Sequence, residues 1–547
     1  MVLGATMEMT QFFVGVDFGS SYSMVSTITL QNGPASFSLP LPFNFLDGSE
    51  DIYVNQVATA LVMDSDGTAI LQSDHSDPAS RNWFKLALLH QDEQPRGELT
   101  SSIFEESSRA WAHMTVKDMT CIFLRALLRQ PLKSLRRLVL LVDQAQIRFN
   151  ISFTFPASWG HDDCKRMKEA VEAINIQALV PGSQISTSYL AEQEAAFLSL
   201  LGHPTVGKFQ GGELIVVCDG GGWTLDTASY AMCPFVDGLP SVRECGKARS
   251  VAQGAFYLHA AIDRLLRDGI EAITGNRNWL DNAPERPYIA ARLQEIVFRY
   301  TGNANANVRF RIQFDSRTRY ILISRDRLED LFKMQQEQIT TCINAALQTA
   351  TSAYERQYRV RAMSIYITLT GGLSCNPYIR AGVAARMKEQ HGGSVNVILP
   401  VDDEGWFAVA NGAAIHSLVD HIRNHNKANI LVERTSPAHF FVKCRGASNI
   451  TLAIEGQSIQ THHTTCQIPD VGLATEVILG RSSLVVHYAT GNMERKYVAF
   501  AWASDTVLQN QKLSLKFCPD REFGYLTIEL LVDGEARPDL VLTENHF

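Results

Sequence analysis

The sequence predicts an α/β protein that consists of two duplicated lobes followed by a smaller β-rich domain. Two observations support this prediction. A strand–turn–strand pattern with an aspartate before a glycine-containing turn occurs twice, at Asp17 and at Asp219, and helical periodicity ends near residue 425. The separation of the two aspartates fits the duplication of a whole domain rather than a short solenoid repeat.

The two copies of the pattern have the same parts. The first copy covers residues 12–28, with Gly19 and Ser20 in the turn. The second has an apolar strand at 214–219, a turn at 220–224 and a returning strand at 225–230. Two strands around a short glycine-containing turn predict a β-hairpin.

The remaining elements alternate between strands and helices up to about residue 420. Apolar residues at helical spacing, such as Met167, Ala170, Val171 and Ile174, indicate the helices. We predict further strands at 150–156, 364–370 and 395–400 and helices at 162–174, 189–201, 250–266, 325–350, 377–388 and 407–419.

Beyond residue 425 the pattern becomes that of an all-β unit, with strand-like segments at 483–488, 497–502 and 524–530 between turn-forming residues. The expected division is therefore lobe I at 11–200, lobe II at 201–425 and a β-rich C-terminal domain at 426–547.

Composition indicates a soluble globular protein, because 46% of the residues are hydrophobic and 19% are charged. The net charge of -8 argues against a nucleic-acid partner for the protein as a whole. No apolar run is long enough to span a membrane, and no signal peptide is expected. Ten scattered cysteines without a CxxC pair favour a reduced, cytoplasmic location.

The two turns have the chemistry of a polyphosphate site. A turn with small side chains lets backbone N–H groups approach phosphate oxygens. A carboxylate just before the turn repels phosphate but can hold Mg²⁺ through water, as Asp17 and Asp219 would. The hydroxyls of Ser20, Ser21 and Thr224 suit phosphate oxygens. Two such hairpins can clamp one polyphosphate from both sides.

These motifs resemble those of the actin, sugar kinase and Hsp70 ATPase superfamily. Residues 13–23 resemble its first phosphate motif, 217–226 its second phosphate motif and 370–378 its adenosine motif, in the same order along the chain. Residues 155–159, 192–196 and 411–414 are similar to further Hsp70 segments. Within the superfamily, the sequence looks most like the divergent Hsp70-like proteins of fungal type. The resemblance covers about residues 11–420 and implies an actin-like ATPase (ribonuclease H-like) two-lobe fold.

The resemblance also implies roles for individual residues, with ATP and Mg²⁺ as the cofactors. Asp17 and Asp219 would hold the metal, Lys85 would point to the γ-phosphate, and Glu192 and Asp226 would lie near the metal and the attacking water. The residues implied to bind the nucleotide are Gly19, Ser20, Ser21, Tyr22, Gly221, Gly222, Trp223, Thr224, Glu295, Arg299, Gly371, Gly372, Ser374 and Cys375.

Four residues depart from the Hsp70 pattern. Trp223 replaces the third glycine of the second phosphate motif, and its indole either crowds the phosphates or packs against a neighbouring subdomain. Gln193 replaces the switch proline, Cys375 replaces the arginine that stacks on adenine, and Phe298 replaces a lysine. The C-terminal region resembles a truncated Hsp70 substrate domain and is too short for a substrate domain with a full lid.

The leading expectation is an Hsp70-like, Mg²⁺-dependent ATP-binding protein that is not a conventional chaperone, with ATP hydrolysis left open. One alternative is a metabolic enzyme that uses the Hsp70-like cleft on a small-molecule substrate, with or without ATP. The other is a pseudo-ATPase scaffold whose lobe spacing serves a protein client. Neither a membrane nor a nucleic acid is expected as a partner.

Overall fold

The computed structural model describes most of the chain up to residue 426 and a series of strands after it. The described ranges are 9–29, 40–46, 53–64, 68–72, 81–82, 84–88, 114–139, 146–157, 159–201, 209, 211–236, 239–302, 307–399, 404–426, 431–435, 439–442, 450–453, 458–460, 464–467, 476–478, 481–490, 493–502, 513–519, 526–532, 535–536 and 541–542.

The first part of the chain forms a mixed sheet with helices packed against it. A 3-10 helix, Phe84–Leu88, precedes the first long helix. The other elements are β1 (Met9–Phe18), β2 (Tyr22–Thr29), β3 (Leu41–Pro42), β4 (Phe45–Leu46), β5 (Tyr53–Val54), β6 (Val57–Ala58), β7 (Ala60–Met63), β8 (Ala69–Ile70), β9 (Arg81–Asn82), α1 (Val116–Val139), β10 (Gln146–Phe155), α2 (His161–Glu172), α3 (Ile176–Leu179), β11 (Gln184–Ala191) and α4 (Glu192–Leu201).

The first sheet has the strand order β11–β10–β1–β2–β3. β1 runs parallel to β10, and β10 runs parallel to β11, whereas β1 and β2 form an antiparallel hairpin. Phe12, Val14, Val16 and Phe18 alternate along β1 and are buried in one core that also contains apolar residues of α1 and α2. The alternation of side chains along a strand explains why this face of β1 is apolar.

The second part of the chain forms another mixed sheet with its own helices. Its elements are β12 (Leu214–Gly220), β13 (Leu225–Val236), β14 (Leu239–Glu244), β15 (Arg249–Val251), α5 (Ala255–Thr274), α6 (Arg286–Arg299), β16 (Val308–Phe314), β17 (Arg317–Ile323), α7 (Arg325–Tyr358), β18 (Ile365–Thr370), α8 (Gly371–Ser374), α9 (Pro377–His391), β19 (Val395–Ile398) and α10 (Ala408–Asn426).

The order of the second sheet matches that of the first. It contains β19–β18–β12–β13–β14, with β12 parallel to β18, β18 parallel to β19, and β12 antiparallel to β13. In both sheets the central strand starts an antiparallel hairpin on one side, and on its other side it pairs with a parallel strand that is followed by a second parallel strand. Asp17 lies near the end of β1, and Asp219 lies near the end of β12.

Helix α10 follows strand β19 of the second sheet in the chain but packs against the first sheet. A Cβ atom on Gly15 of β1 would lie 2.1 Å from the carbonyl oxygen of Ala410, so only glycine permits this approach. The Ser26 hydroxyl of β2 donates a hydrogen bond to Oδ1 of Asn411 at 2.6 Å. Gly412 makes a similar close contact with the backbone of Ala195 in α4.

The described residues after α10 are all in strands. They are β20 (Leu431–Thr435), β21 (His439–Val442), β22 (Ile450–Ala453), β23 (Ser458–Gln460), β24 (Thr464–Gln467), β25 (Glu476–Ile478), β26 (Arg481–Thr490), β27 (Met493–Trp502), β28 (Leu513–Pro519), β29 (Leu526–Val532), β30 (Glu535–Ala536) and β31 (Val541–Leu542). β20 pairs with β14 and so extends the second sheet, and most of the others form two further sheets.

The structure agrees with the predicted α/β class, and both predicted hairpins are confirmed. Two helix predictions were wrong at their starts. Residues 189–191 end strand β11, because they pair with β10 in the sheet. Residues 249–251 form β15 and pair with β13, and the helix begins only at Ala255. In both places pairing within a sheet overrides local helix propensity.

Across the described residues, no helix is long and apolar enough to cross a membrane.

Candidate functional site

The turns of the two hairpins meet. A Cβ atom on Gly222 would lie 1.9 Å from Oγ of Ser21, so the second turn rests directly on the first. Within the first turn, a Cβ atom on Gly19 would lie 2.1 Å from the carbonyl oxygen of Tyr22. The Gly221 N–H donates to the carbonyl oxygen of Thr224 at 3.0 Å and keeps the second turn tight. Ser20 is partly exposed beside this contact.

Three aspartates near the turns share one electrostatic environment. Burial, and after it the negative charge of Glu192, raises the pKa of Asp17 to about 7. Burial raises the pKa of Asp219 well above its ordinary value, and again Glu192 adds to the effect. Burial also raises the pKa of Asp226 to about 6. The positive charge of Lys85 opposes the rise at all three carboxyls.

Lys85 and Glu192 form a buried ion pair beside these aspartates. The Lys85 Nζ atom lies 2.7 Å from Oε1 of Glu192, and the lysine side chain is 3% exposed. The ammonium also lies over the rings of Phe18 and Trp159, 5.3 and 5.5 Å from their centroids. The 3-10 helix that carries Lys85 therefore places its charge next to the N-terminus of α4.

Asp219 has a buried oxygen without a hydrogen-bond partner among the described residues, namely Oδ1. This oxygen faces Gly371, where a Cβ atom would lie only 2.2 Å from it. Gly371 has a φ of +79°, which L-residues with side chains rarely adopt. Both the space and the backbone conformation therefore require glycine at this position.

Asp17 and Asp219 are the carboxylates that could hold a cation through water at the two turns. In the described part of the chain, no group of three or more His, Cys, Asp or Glu side chains has the spacing of a direct metal site. Mg²⁺ usually keeps several waters and takes one or two carboxylates together with phosphates. Asp17 and Asp219 fit that role, because each is the penultimate residue of the first strand of its hairpin and the turns of the two hairpins are in contact.

Trp223 packs away from the turn that contains it. Its side chain is 1% exposed, and its indole stacks on Phe256 at a centroid distance of 4.9 Å and contacts Tyr257 at 5.5 Å. Of the two arrangements left open by the sequence, the structure has the one in which the indole packs against a neighbouring element, α5. The Thr224 hydroxyl donates a hydrogen bond to Asp226 and is therefore already engaged.

A cavity of about 790 Å³ lies beside Gly372. We call it the aromatic cavity, because Phe298, Trp406 and Phe407 form part of its wall. Its other lining residues are Asn55, Gln56, Ala291, Gln294, Glu295, Arg299, Cys375, Pro377 and Arg380. Glu295, Arg299 and Cys375 were implied by the resemblance.

Two implied residues near the cavity have other contacts. Ser374 is buried against Gly220, where a Cβ atom would lie 2.3 Å from its Oγ. Tyr22 lies at the start of β2, and its hydroxyl accepts a hydrogen bond from the amide of Gln294 in α6. The Tyr22 ring also meets Phe298 edge-on at 6.3 Å. Tyr22 therefore connects the first hairpin to the cavity wall.

Sequence reasoning missed Trp406. Its indole meets Phe298 at a centroid distance of 4.9 Å, and both rings cover Gly372. The available signal was a Trp–Phe pair immediately before the helix at 407–419, but nothing local indicates that this pair reaches α6 or the adenosine motif.

Comparison with known proteins does not assign this sequence to a family. No family model matches the sequence, and the search of the curated proteins found no match.

Proposed function

We propose that this protein is an Hsp70-like, Mg²⁺-dependent ATP-binding protein with the duplicated two-lobe fold of actin, sugar kinases and Hsp70 ATPases. One observation carries the proposal: two hairpins with an aspartate before a glycine-containing turn meet between two sheets of the same strand order. A chance pair of β-turns has no reason to occupy equivalent positions in both sheets. The proposed nucleotide site is the region around this contact.

Asp17 and Asp219 are the residues that would hold Mg²⁺, mostly through water. The unpartnered Oδ1 of Asp219 supports this assignment, because a buried carboxylate oxygen without a partner is costly in a folded protein. The ion, when bound, would neutralise charge on the phosphates. The raised pKa values of Asp17 and Asp219 have the same origin, since each carboxyl is buried near other carboxyls.

The phosphates would be bound by the turns. The backbone at Gly222 and the hydroxyls of Ser20 and Ser21 would contact the phosphates, whereas the Gly221 N–H is bonded within the turn to Thr224 and the Thr224 hydroxyl is bonded to Asp226. Because Gly222 rests directly on Ser21, a ligand that sits between the turns has to part them. Nucleotide binding would therefore separate the two hairpins from their present contact.

Calorimetric titration with ATP tests the proposal. The wild-type protein should bind ATP with Mg²⁺ and bind it more weakly with EDTA. Asp219→Asn should weaken binding by about tenfold or more, because charge-assisted contacts are worth more than neutral ones. Asp268→Asn is the matched control, since Asp268 is 53% exposed and paired with Arg277.

Failure to bind ATP at millimolar concentration, in protein shown by circular dichroism to be folded, would reject the proposal. Release of phosphate is measured separately, because binding without hydrolysis would leave the nucleotide site intact and favour the scaffold over the ATPase. A rate of phosphate release that Asp219→Asn leaves unchanged would assign the hydrolysis to a contaminant.

A further inference from the structure

Two aromatic side chains in the wall of the aromatic cavity, Phe298 and Trp406, pack directly against the backbone of Gly372. A Cβ atom on Gly372 would lie 3.1 Å from Cε1 of Phe298 and 3.2 Å from Cη2 of Trp406. These distances are shorter than an ordinary contact, so a side chain at this position would push the rings away. Phe298 and Trp406 are each partly buried, and both face the cavity. The cavity therefore has an ordered aromatic wall.

This wall is connected to the carboxylates by two consecutive glycines. Gly371 lies against Asp219, and Gly372 lies against the rings of Phe298 and Trp406. The Tyr22–Gln294 hydrogen bond makes a second connection, from the first hairpin to the cavity wall. A molecule with an anionic end at the hairpins and a flat ring in the cavity would therefore lie along one continuous surface.

The polar residues of the cavity are poorly suited to distinguish one base from another. Asn55 and Gln56 carry amides, which can present either a donor or an acceptor, and the amide of Gln294 already donates to Tyr22. Glu295 is exposed and already paired with Arg292. None of the polar residues in the cavity wall is buried as a whole, and the one atom among them that is buried without a partner in the described part of the chain, Oε1 of Gln56, belongs to an amide that can turn to present its N–H groups instead. Strong discrimination needs buried polar groups that the wrong ligand would leave unpaired.

We infer that the aromatic cavity holds the base of a nucleotide by stacking against Trp406, with Phe298 supporting the indole, and that it discriminates weakly between bases. The ligand class is then nucleoside triphosphates in general rather than ATP alone. Stacking tolerates any base, because every base has a π-face. This inference rests on the proposed function, since it uses the same site.

The test compares ATP, GTP, CTP, UTP and inorganic tripolyphosphate in Mg²⁺ by calorimetric titration. The four nucleotides should bind within about tenfold of one another, and tripolyphosphate should bind about tenfold or more weakly, because it lacks the stacked ring. Trp406→Ala should lower the affinity for ATP and GTP to that for tripolyphosphate and leave tripolyphosphate binding unchanged. Trp406→Phe should keep most of the nucleotide affinity, because it retains an aromatic ring. Unchanged binding of tripolyphosphate to the alanine variant shows that this variant is still folded.

Trp279→Ala is the matched control, because Trp279 is partly buried against Phe314 and does not line the cavity. It should leave all affinities unchanged. If Trp406→Ala keeps wild-type ATP affinity, if ATP binds no better than tripolyphosphate, or if one base is preferred more than a hundredfold, this inference is overturned while the proposed function stands. If neither nucleotides nor tripolyphosphate bind, both fail.

Discussion

The Lys85–Glu192 ion pair should be essential for stability, and Lys85→Met tests this. Two unit charges 2.7 Å apart attract by roughly 6 kcal/mol at an effective dielectric constant of about 20. Part of that attraction offsets the cost of burying both groups. Removal of Lys85 leaves Glu192 buried beside Asp17 and Asp219 without its cationic partner. We therefore expect the free energy of unfolding to fall by about 3–5 kcal/mol at pH 8.

Urea unfolding followed by circular dichroism measures this loss. The double variant Lys85→Met/Glu192→Gln should recover most of it, because no uncompensated charge then remains in the pair. Lys117→Met is the control, since its pair with Glu169 is 3.4 Å long and both side chains are about half exposed. Exposed pairs contribute about 0–1 kcal/mol.

The effect of Lys85→Met should depend on pH. Lys85 lowers the pKa values of Asp17 and Asp226, so its loss costs most where these carboxyls are charged. Their pKa values are about 7 and about 6, so the loss should shrink as the pH falls from 8 to 5. A loss below about 1 kcal/mol at pH 8, equal to that of the exposed control, would refute the reasoning.

Three further predictions follow from the site. Gly371→Ala should destabilise the protein by about 1–3 kcal/mol more than Gly275→Ala in urea unfolding, because both have positive φ but only Gly371 lacks space for a Cβ atom. Trp223→Ala should lower the free energy of unfolding by about 3–5 kcal/mol, and a smaller effect than 1 kcal/mol would contradict its burial. Asp17 and Asp226 have pKa values raised by folding, so the metal-free protein binds extra protons and should gain stability as the pH falls from 8 towards 5. Asp17→Asn/Asp226→Asn should flatten this gain in thermal unfolding curves.

Local patterns were enough to predict the two hairpins and their aspartates. Each hairpin is defined by alternating apolar residues and by a glycine-containing turn within a short stretch of chain. The prediction that a helix starts at residue 189 was wrong because the structure of this segment is set by a distant strand and not by its local sequence. Its first residues have helix-forming side chains, but strand β10 pairs with them from elsewhere in the sequence.

The contacts that define the candidate site join distant parts of the chain. Lys85 and Glu192 are 107 residues apart, and only the fold brings them together. The same holds for Trp406, Phe298 and Gly372, which come from a turn, from helix α6 and from the short helix α8. No periodicity in the sequence encodes such a meeting, so the sequence named Phe298 only as a departure from a motif.

The packing of helix α10 on the first sheet determines which fragments of the chain should be stable in solution. The backbone of β1 at Gly15 is covered by Ala410 and Ala414, which are supplied by the far end of the second part of the chain. A fragment that stops at residue 201 would expose this strip of bare backbone, the face against which Asn411 bonds Ser26. Such a fragment should aggregate, and adding residues 408–426 as a separate peptide should restore its solubility. The first sheet is thus covered only after strands β12 to β19 of the second have been made.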